Sequence, residues 1–306
     1  MGENDMISVK EIIDFLGSDV IQVFGNIENV YVKHLKPIEL VDEETLDWVN
    51  SIKENKQIIA ENSKARVILA DEEVQYTSTI QSQNKTLLIV LNPKLCIVKV
   101  GHQFFVEKLN PGIHPTAYIH PLAKTGENLY IGANSSIGEC TIGNNAIIYP
   151  NVVINDKVII GNYVTIKSGA ILGFDGFGYE RDESNNLIKF PQLGKLIIQD
   201  HVEIGSNTCI DKGSLSDTII GFNTKINNLC HIAHNVIIGK NVIITAQVNI
   251  SGSTTIEDDV WVAPNASLRG HQKIGRGAMI GMGAVVTKDV PSGETWLGNP
   301  ARKLEK

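Results

Sequence analysis

His234 and Gly252 stand 18 residues apart. The first offers an imidazole that can take a proton, and the second a backbone amide with no side chain in front of it, suited to holding an oxyanion as it develops on a carbonyl. Asn228 precedes His234 by six residues and His271 follows it by 37. The bland alternatives are a turn glycine, one of 27 in the chain, and an asparagine that caps a corner. The spacings therefore carry chemistry only if the chain repeats with a period that divides them.

It does repeat. Aliphatic residues recur every six positions from Ile220 through Ile226, Ile232, Ile238, Ile244, Ile250 and Ile256 to Val262, Leu268, Ile274, Ile280 and Val286. One hexad makes a short strand and a corner, three hexads close a triangular coil, and stacked coils bury an aliphatic column that no single repeat could bury alone. The same register runs upstream through Ile142, Ile148, Ile154, Ile160, Ile166 and Leu172 and again at Ile198, Ile204 and Ile210. The fold expected is mainly β, a parallel β-helix beginning near Ile113. Two interruptions break it. Residues 173–196 are rich in glycine, charge and aromatics and suit a loop thrown out of the coil. Between Ile210 and Ile220 the count falls two short of two hexads, which suggests a tightened corner.

The period gives the polar residues their places. In the hexad Ile-Ala-His-Asn-Val-Ile from Ile232, the first and fifth positions point inward, so His234 points out, toward a groove that a neighbouring subunit would wall. Eighteen residues are one coil, which sets Gly252 directly above or below His234. His271 lies two coils plus one residue away, roughly 10 Å along the axis, a span for two ends of one elongated ligand. His231 and His234 also form an HxxH pair, but they occupy different hexad positions and should diverge, against a shared metal. Flat sheet faces with few charges need covering, and a homotrimer with active sites between subunits would cover them.

Length and charge narrow the classes further. A chain of 306 residues with a net charge of −7 and no long single-sign run is a poor partner for a nucleic-acid backbone. No apolar stretch is long enough to span a bilayer, and a cytoplasmic location is expected. Cys96, Cys140, Cys209 and Cys230 are scattered without CxxC spacing, as reduced structural thiols are. Residues 1–110 lie outside the repeat and read as a small α/β domain. Helices are predicted over 7–16, 43–52 behind Asp42, and from Asn92-Pro93 toward Phe104, with strands at 57–60, 65–70 and 86–91. Asn110-Pro111-Gly112 marks the boundary with a β-helix domain spanning 111–306. Trp48 is a packing aromatic or a platform for a nucleotide base.

The stretch GFDGFGYERDESNNLIKFPQLGKLIIQDHVEIGSNTCIDKGSLSDTIIG, continued by INNLCHIAHNVIIG and ISGSTTIE, resembles the UDP-3-O-acylglucosamine N-acyltransferase family of lipid A biosynthesis. LKPIELVDEETLDWV is similar, more loosely, to that family's nucleotide-recognition domain. The resemblance implies a left-handed β-helix, with His234 as general base, Gly252 as oxyanion donor, His271 as a second active-site histidine near the acyl chain and Asn228 near the sugar. The ending GAVVTKDVPSGETWLGNPARKLEK resembles instead hexapeptide acetyltransferases that modify sugars with acyl-CoA. The helical tail with which the lipid A enzymes engage acyl carrier protein does not follow it. Glu54 stands six residues after Trp48, where the family tends to place an aromatic, which leaves dTDP and UDP both open.

The function expected is therefore transfer of an acyl group from acyl-CoA to the amine of a nucleotide-linked amino sugar, such as a dTDP-4-amino-4,6-dideoxyhexose, without a permanently bound cofactor. Lys273, Arg276, Lys288 and Arg302 would meet CoA phosphates or be plain solvated surface. The alternatives are an acyl-carrier-protein-dependent enzyme of the lipid A type and a metalloenzyme resembling γ-type carbonic anhydrase.

Overall fold

A computed structural model describes residues 6–305. The chain divides into two compact units, Met1–Lys108 and Leu109–Lys306.

The first unit is built on a four-stranded sheet ordered Val20–Phe24, Thr86–Val90, Val67–Ala70, Leu46–Trp48, antiparallel in its first pair and parallel in the other two. Alternate side chains of the central strands enter different cores. Val67, Leu69, Leu88 and Val90 pack with the helices Val9–Leu16 and Pro93–Val100. Ile68, Ala70, Leu87 and Ile89 pack on the other face with Ala60 and Ile80. Strands covered on both faces read as continuous apolar runs, which is why 65–70 and 86–91 were legible. The first helix starts at Val9, behind a Ser8–Glu11 capping box.

Two local expectations are corrected. Residues 43–52 form no helix, because the Asp42 carboxylate closes a tight turn onto Thr45 Oγ1 and the Glu44 amide and releases Leu46–Trp48 to pair with Val67–Leu69. Residues 57–60 belong to the helix Lys56–Asn62 and not to a strand: Lys56 and Ala60 are buried four apart, while Ile58 faces out. A short apolar run supports either period, and here tertiary packing selected the helix.

The second unit is a parallel β-solenoid with three sheet faces of 11, 9 and 8 strands. Most of its strands are two residues long, with the first side chain outward and the aliphatic second one buried. All twelve anchors from Ile220 to Val286 are at most 2% exposed. Each buried aliphatic contributes about 1.5–3 kcal/mol. At the corners, residues such as Asn223, Asn235, Asn241 and Asn265 take a left-handed backbone conformation with φ near 60°. Asparagine tolerates that conformation better than most side chains. Buried corner hydroxyls are satisfied locally, as where Thr254 Oγ1 donates to the Ser251 carbonyl at 2.7 Å.

Regular coils take 18 residues, as from Ile220 to its partner Ile238. Ile160 pairs with Ile198, 38 residues on, and Ile198 with Ile220, 22 on. The first excess is the external loop, whose strands Tyr179–Arg181 and Leu187–Lys189 form an antiparallel hairpin. The second overturns the tightened corner expected between Ile210 and Ile220. That segment is one hexad plus four extra residues, because the corner widens outward over 211–217 to meet the loop. Near the end, Thr295–Leu297 takes the next strand position and Arg302–Lys303 folds back antiparallel on it. Among the described residues no helix is long and apolar enough to cross a membrane.

Candidate active site

His234 sits on the corner between the strands His231–Ile232 and Ile237–Ile238, its side chain half-buried between two glycines. A Cβ on Gly252, in the next coil, would stand 2.8 Å from His234 Cε1 and 3.0 Å from Nε2. A Cβ on Gly176, in the external loop, would stand 2.6 Å from both Cβ and Cδ2 of the same residue. Both approaches are closer than any side chain permits, so the imidazole has its place only because two glycines leave it open.

The ring is also oriented. His234 Nδ1 lies 2.8 Å from Asn235 Oδ1, and the Asn235 amide nitrogen donates to Ser216 O and Oγ at 3.0 and 2.7 Å. With the asparagine nitrogen thus engaged, its oxygen faces the ring, Nδ1 carries the proton, and Nε2 keeps its lone pair. Ser214 donates from N and Oγ to the same oxygen. Asn235 is therefore fixed by the widened corner 211–217. That corner is in turn tied to the external loop through Leu193 N to Ser214 O at 2.6 Å and Lys212 Nζ to Asp175 at 2.9 Å. Lys189 and then Lys212 hold the Asp175 carboxyl below the usual carboxylate range.

The amides of Ser251 and Ser253 donate to Leu268 and His234 carbonyls, whereas among the described residues nothing engages the amide of Gly252 between them. The corner geometry leaves that N–H unpaired. What singles it out is the imidazole alongside. An imidazole and an unpaired backbone N–H thus lie side by side, an arrangement that could serve attack on a carbonyl.

The other predicted residues fall in different places. His271 is on the same corner two coils away, exposed, its amide bonded to Gly252 O. Asn228 is on the preceding corner, at the other end of the strand His231–Ile232, and its Oδ1 accepts the Ser206 amide at 2.8 Å. It braces a corner there and does not stack with His234, because one hexad advances by one corner. Trp48 lies in the first unit, half-buried against the core of Val67 and Leu69. Lys273 and Arg276 are each 2.7 Å from a carboxylate, of Glu257 and Asp258 respectively. Lys288 and Arg302 are exposed. Cys230 is buried, and burial pushes its thiol up, which disfavours the thiolate a nucleophile needs. Among the described residues no three His, Cys, Asp or Glu side chains gather as a metal site would.

Gly176, Asn235 and Asp211, which lies in the wall beside His234, were not foreseen. For Asn235 a signal existed, since an asparagine directly after the histidine at a corner is well placed to bond it. Gly176 had none, because nothing in the hexad period says where the external loop returns.

The bacterial transferase hexapeptide model (six repeats) matches residues 139–173, 217–252 and 253–288. The UDP-3-O-acylglucosamine N-acyltransferase of Methylobacterium nodulans is 51% identical over 146 residues, 48% of this chain and 41% of that protein. Its counterpart in Caulobacter vibrioides is 43% identical over 167 residues, 55% of this chain and 47% of that protein. The chain thus spans less than half the length of these relatives. Among solved structures, the UDP-N-acetylglucosamine acyltransferase of Bacteroides fragilis superposes with a TM-score of 0.57 at 29% identity, covering 63% of this chain and 74% of that one. The Campylobacter jejuni enzyme gives 0.56 at 25%, with the same coverages. The second unit is a parallel β-solenoid that carries the hexapeptide repeat of bacterial transferases. Over about half its length, the chain is similar to UDP-3-O-acylglucosamine N-acyltransferases.

Proposed function

We propose that the chain is an N-acyltransferase that moves an acyl group from a thioester to the amine of a nucleotide-linked amino sugar. The observation that carries this reading is the His234 imidazole laid against Gly252 with Nδ1 tied to Asn235. The amine attacks the thioester carbonyl and its proton passes to His234 Nε2. The Gly252 N–H holds the tetrahedral oxyanion until the C–S bond breaks, and the proton then goes to the departing sulfur. No covalent enzyme intermediate is required, because an unprotonated amine is already a good nucleophile toward a thioester.

The likeness to UDP-3-O-acylglucosamine N-acyltransferases supports a UDP-linked glucosamine amine as acceptor ahead of the dTDP-4-amino-4,6-dideoxyhexose expected from the sequence. The donor is a thioester, of acyl-CoA or of acyl carrier protein. The ion pairing of Lys273 and Arg276 argues against their meeting CoA phosphates.

A homotrimer fits the outward row of the sheet that borders His234. Ile159, Ile197, Ile219 and Ile237 follow one another across it, and Ile159 and Ile237 are 36% and 44% exposed. A second copy over that row would close the cleft beside the base. Light scattering that gives a monomer in solution would remove this part of the reading.

The test is thiol release by purified protein with acyl-CoA and acyl-carrier-protein thioesters against UDP- and dTDP-linked amino sugars. Turnover with a UDP-linked glucosamine amine is expected, and His234→Ala should lower kcat by about 10²–10⁴-fold in a folded protein. Near-normal turnover of that variant would remove His234 from the mechanism.

A further inference from the structure

Asp211 ends the strand Cys209–Asp211, whose Ile210 pairs with Ile232, so it reaches the same corner as His234 one coil away. Its side chain is 15% exposed, and its Oδ2 lies 3.9 Å from His231 Nε2, beyond hydrogen-bond reach. Burial pushes this carboxyl up from the usual carboxylate range, and a proton on His231 and then on His234 draws it down. Two other groups face it. Asp175 adds to the rise but is itself neutralised by Lys189 and Lys212, and the half-buried thiol of Cys209 is pushed up by desolvation and then by Asp211.

The contrast with other carboxylates is informative. Asp175, Asp42 and Asp71 each hold at least one lysine within contact distance. Asp211 is nearly covered and no lysine or arginine ion pair reaches it among the described residues. Burying a carboxylate so weakly paired opposes folding, and a neutral group of the same shape would fold at least as well. A charge retained against that penalty, next to the proposed general base, points to function.

We propose that Asp211 is a positioning residue for acyl transfer, its carboxylate stabilising the imidazolium that His234 becomes when it takes the amine proton. This rests on the acyltransferase reading given above. Asp211 takes no proton itself. The N–C bond forms, the proton moves from the amine to His234 Nε2, the C–S bond breaks, and the same proton ends on sulfur. Asp211 acts only while the ring is charged, which is the interval in which the oxyanion also exists.

The test is Asp211→Asn, which keeps the shape and removes the charge, made alone and on the His234→Ala background and measured for thiol release and thermal unfolding. Three results are expected: kcat lower by about 10–100-fold with KM within about 2-fold, no further loss on the His234→Ala background, and an unfolding midpoint no lower than that of the parent. Near-normal kcat would overturn the proposal, as would an equal fold-loss on both backgrounds. A midpoint lowered by more than about 2 °C, or failure to fold, would make the carboxylate structural and overturn it equally. If the parent releases no thiol from any donor, the acyltransferase reading fails instead, and the unfolding comparison still decides whether Asp211 is held against its own folding cost.

Discussion

From Ile220 to Val286 the solenoid turns corner after corner without an added residue, whereas the two coils between Ile160 and Ile220 carry a hairpin loop and a widened corner. Both stretches share one aliphatic column, with anchors at most 2% exposed throughout. The regular stretch supplies His234, Gly252 and His271. The irregular stretch supplies what gives His234 a fixed place and orientation: Gly176 against the ring, Ser214 and Ser216 on Asn235, and Asp211 in the wall. The repeat is thus a frame that holds backbone positions at constant spacing. The departures from it give one outward histidine among eight an oriented imidazole.

That contrast breaks most sharply at Gly252. Gly252→Val should displace the imidazole, whose Cε1 lies 2.8 Å from the Cβ position, and lower kcat by about 10³-fold while the solenoid still folds. Circular dichroism with steady-state kinetics checks both halves. Ile238→Ala, in the regular stretch, should do the converse. It costs about 3 kcal/mol of stability through a cavity in the column, and kcat per folded molecule stays near that of the parent in denaturant-calibrated assays.

A smaller effect is expected from the loop side. Gly176→Ala places a methyl 2.6 Å from His234 Cβ, so the loop has to back away, with a loss of about 10–100-fold in kcat and little change in unfolding midpoint. The least effect concerns acid. Asp175 is held below its ordinary value of 3.8 by Lys189 and Lys212, so its anchoring of the loop is complete above that value and is lost as pH falls through the lowered one. Pepsin should therefore begin to cut within 173–195 as the pH drops below about 3.8, before the coils open, and Asp175→Asn should be cut already at pH 4.

Much of this was legible in the residues. The hexad period gave the parallel β-helix, the inward anchors, the outward place of His234 and the one-coil relation of Gly252. It misread one corner. Counting six-residue steps from Ile210 to Ile220 suggested a short corner where the chain has a long one, because a count cannot tell a missing pair of residues from four added ones. For Asn228 the spacing left two readings, a substrate-facing side chain and a corner brace, and the Oδ1 that accepts the Ser206 amide fits the brace. In the first unit, 57–60 was assigned as strand because a four-residue apolar run has no resolvable period.

The sequence by itself determined the solenoid, since a strict period of buried isoleucines admits one way of stacking, and it determined the column on which His234 and Gly252 stand. Only the tertiary structure decided which ring nitrogen of His234 is free, which loop glycine lies against it and that Asp211 is its neighbour. Those depend on where two aperiodic excursions return to the coil, and that return is set by contacts such as Leu193 with Ser214 and Asp175 with Lys212, between residues about 20 to 40 positions apart that no local pattern connects.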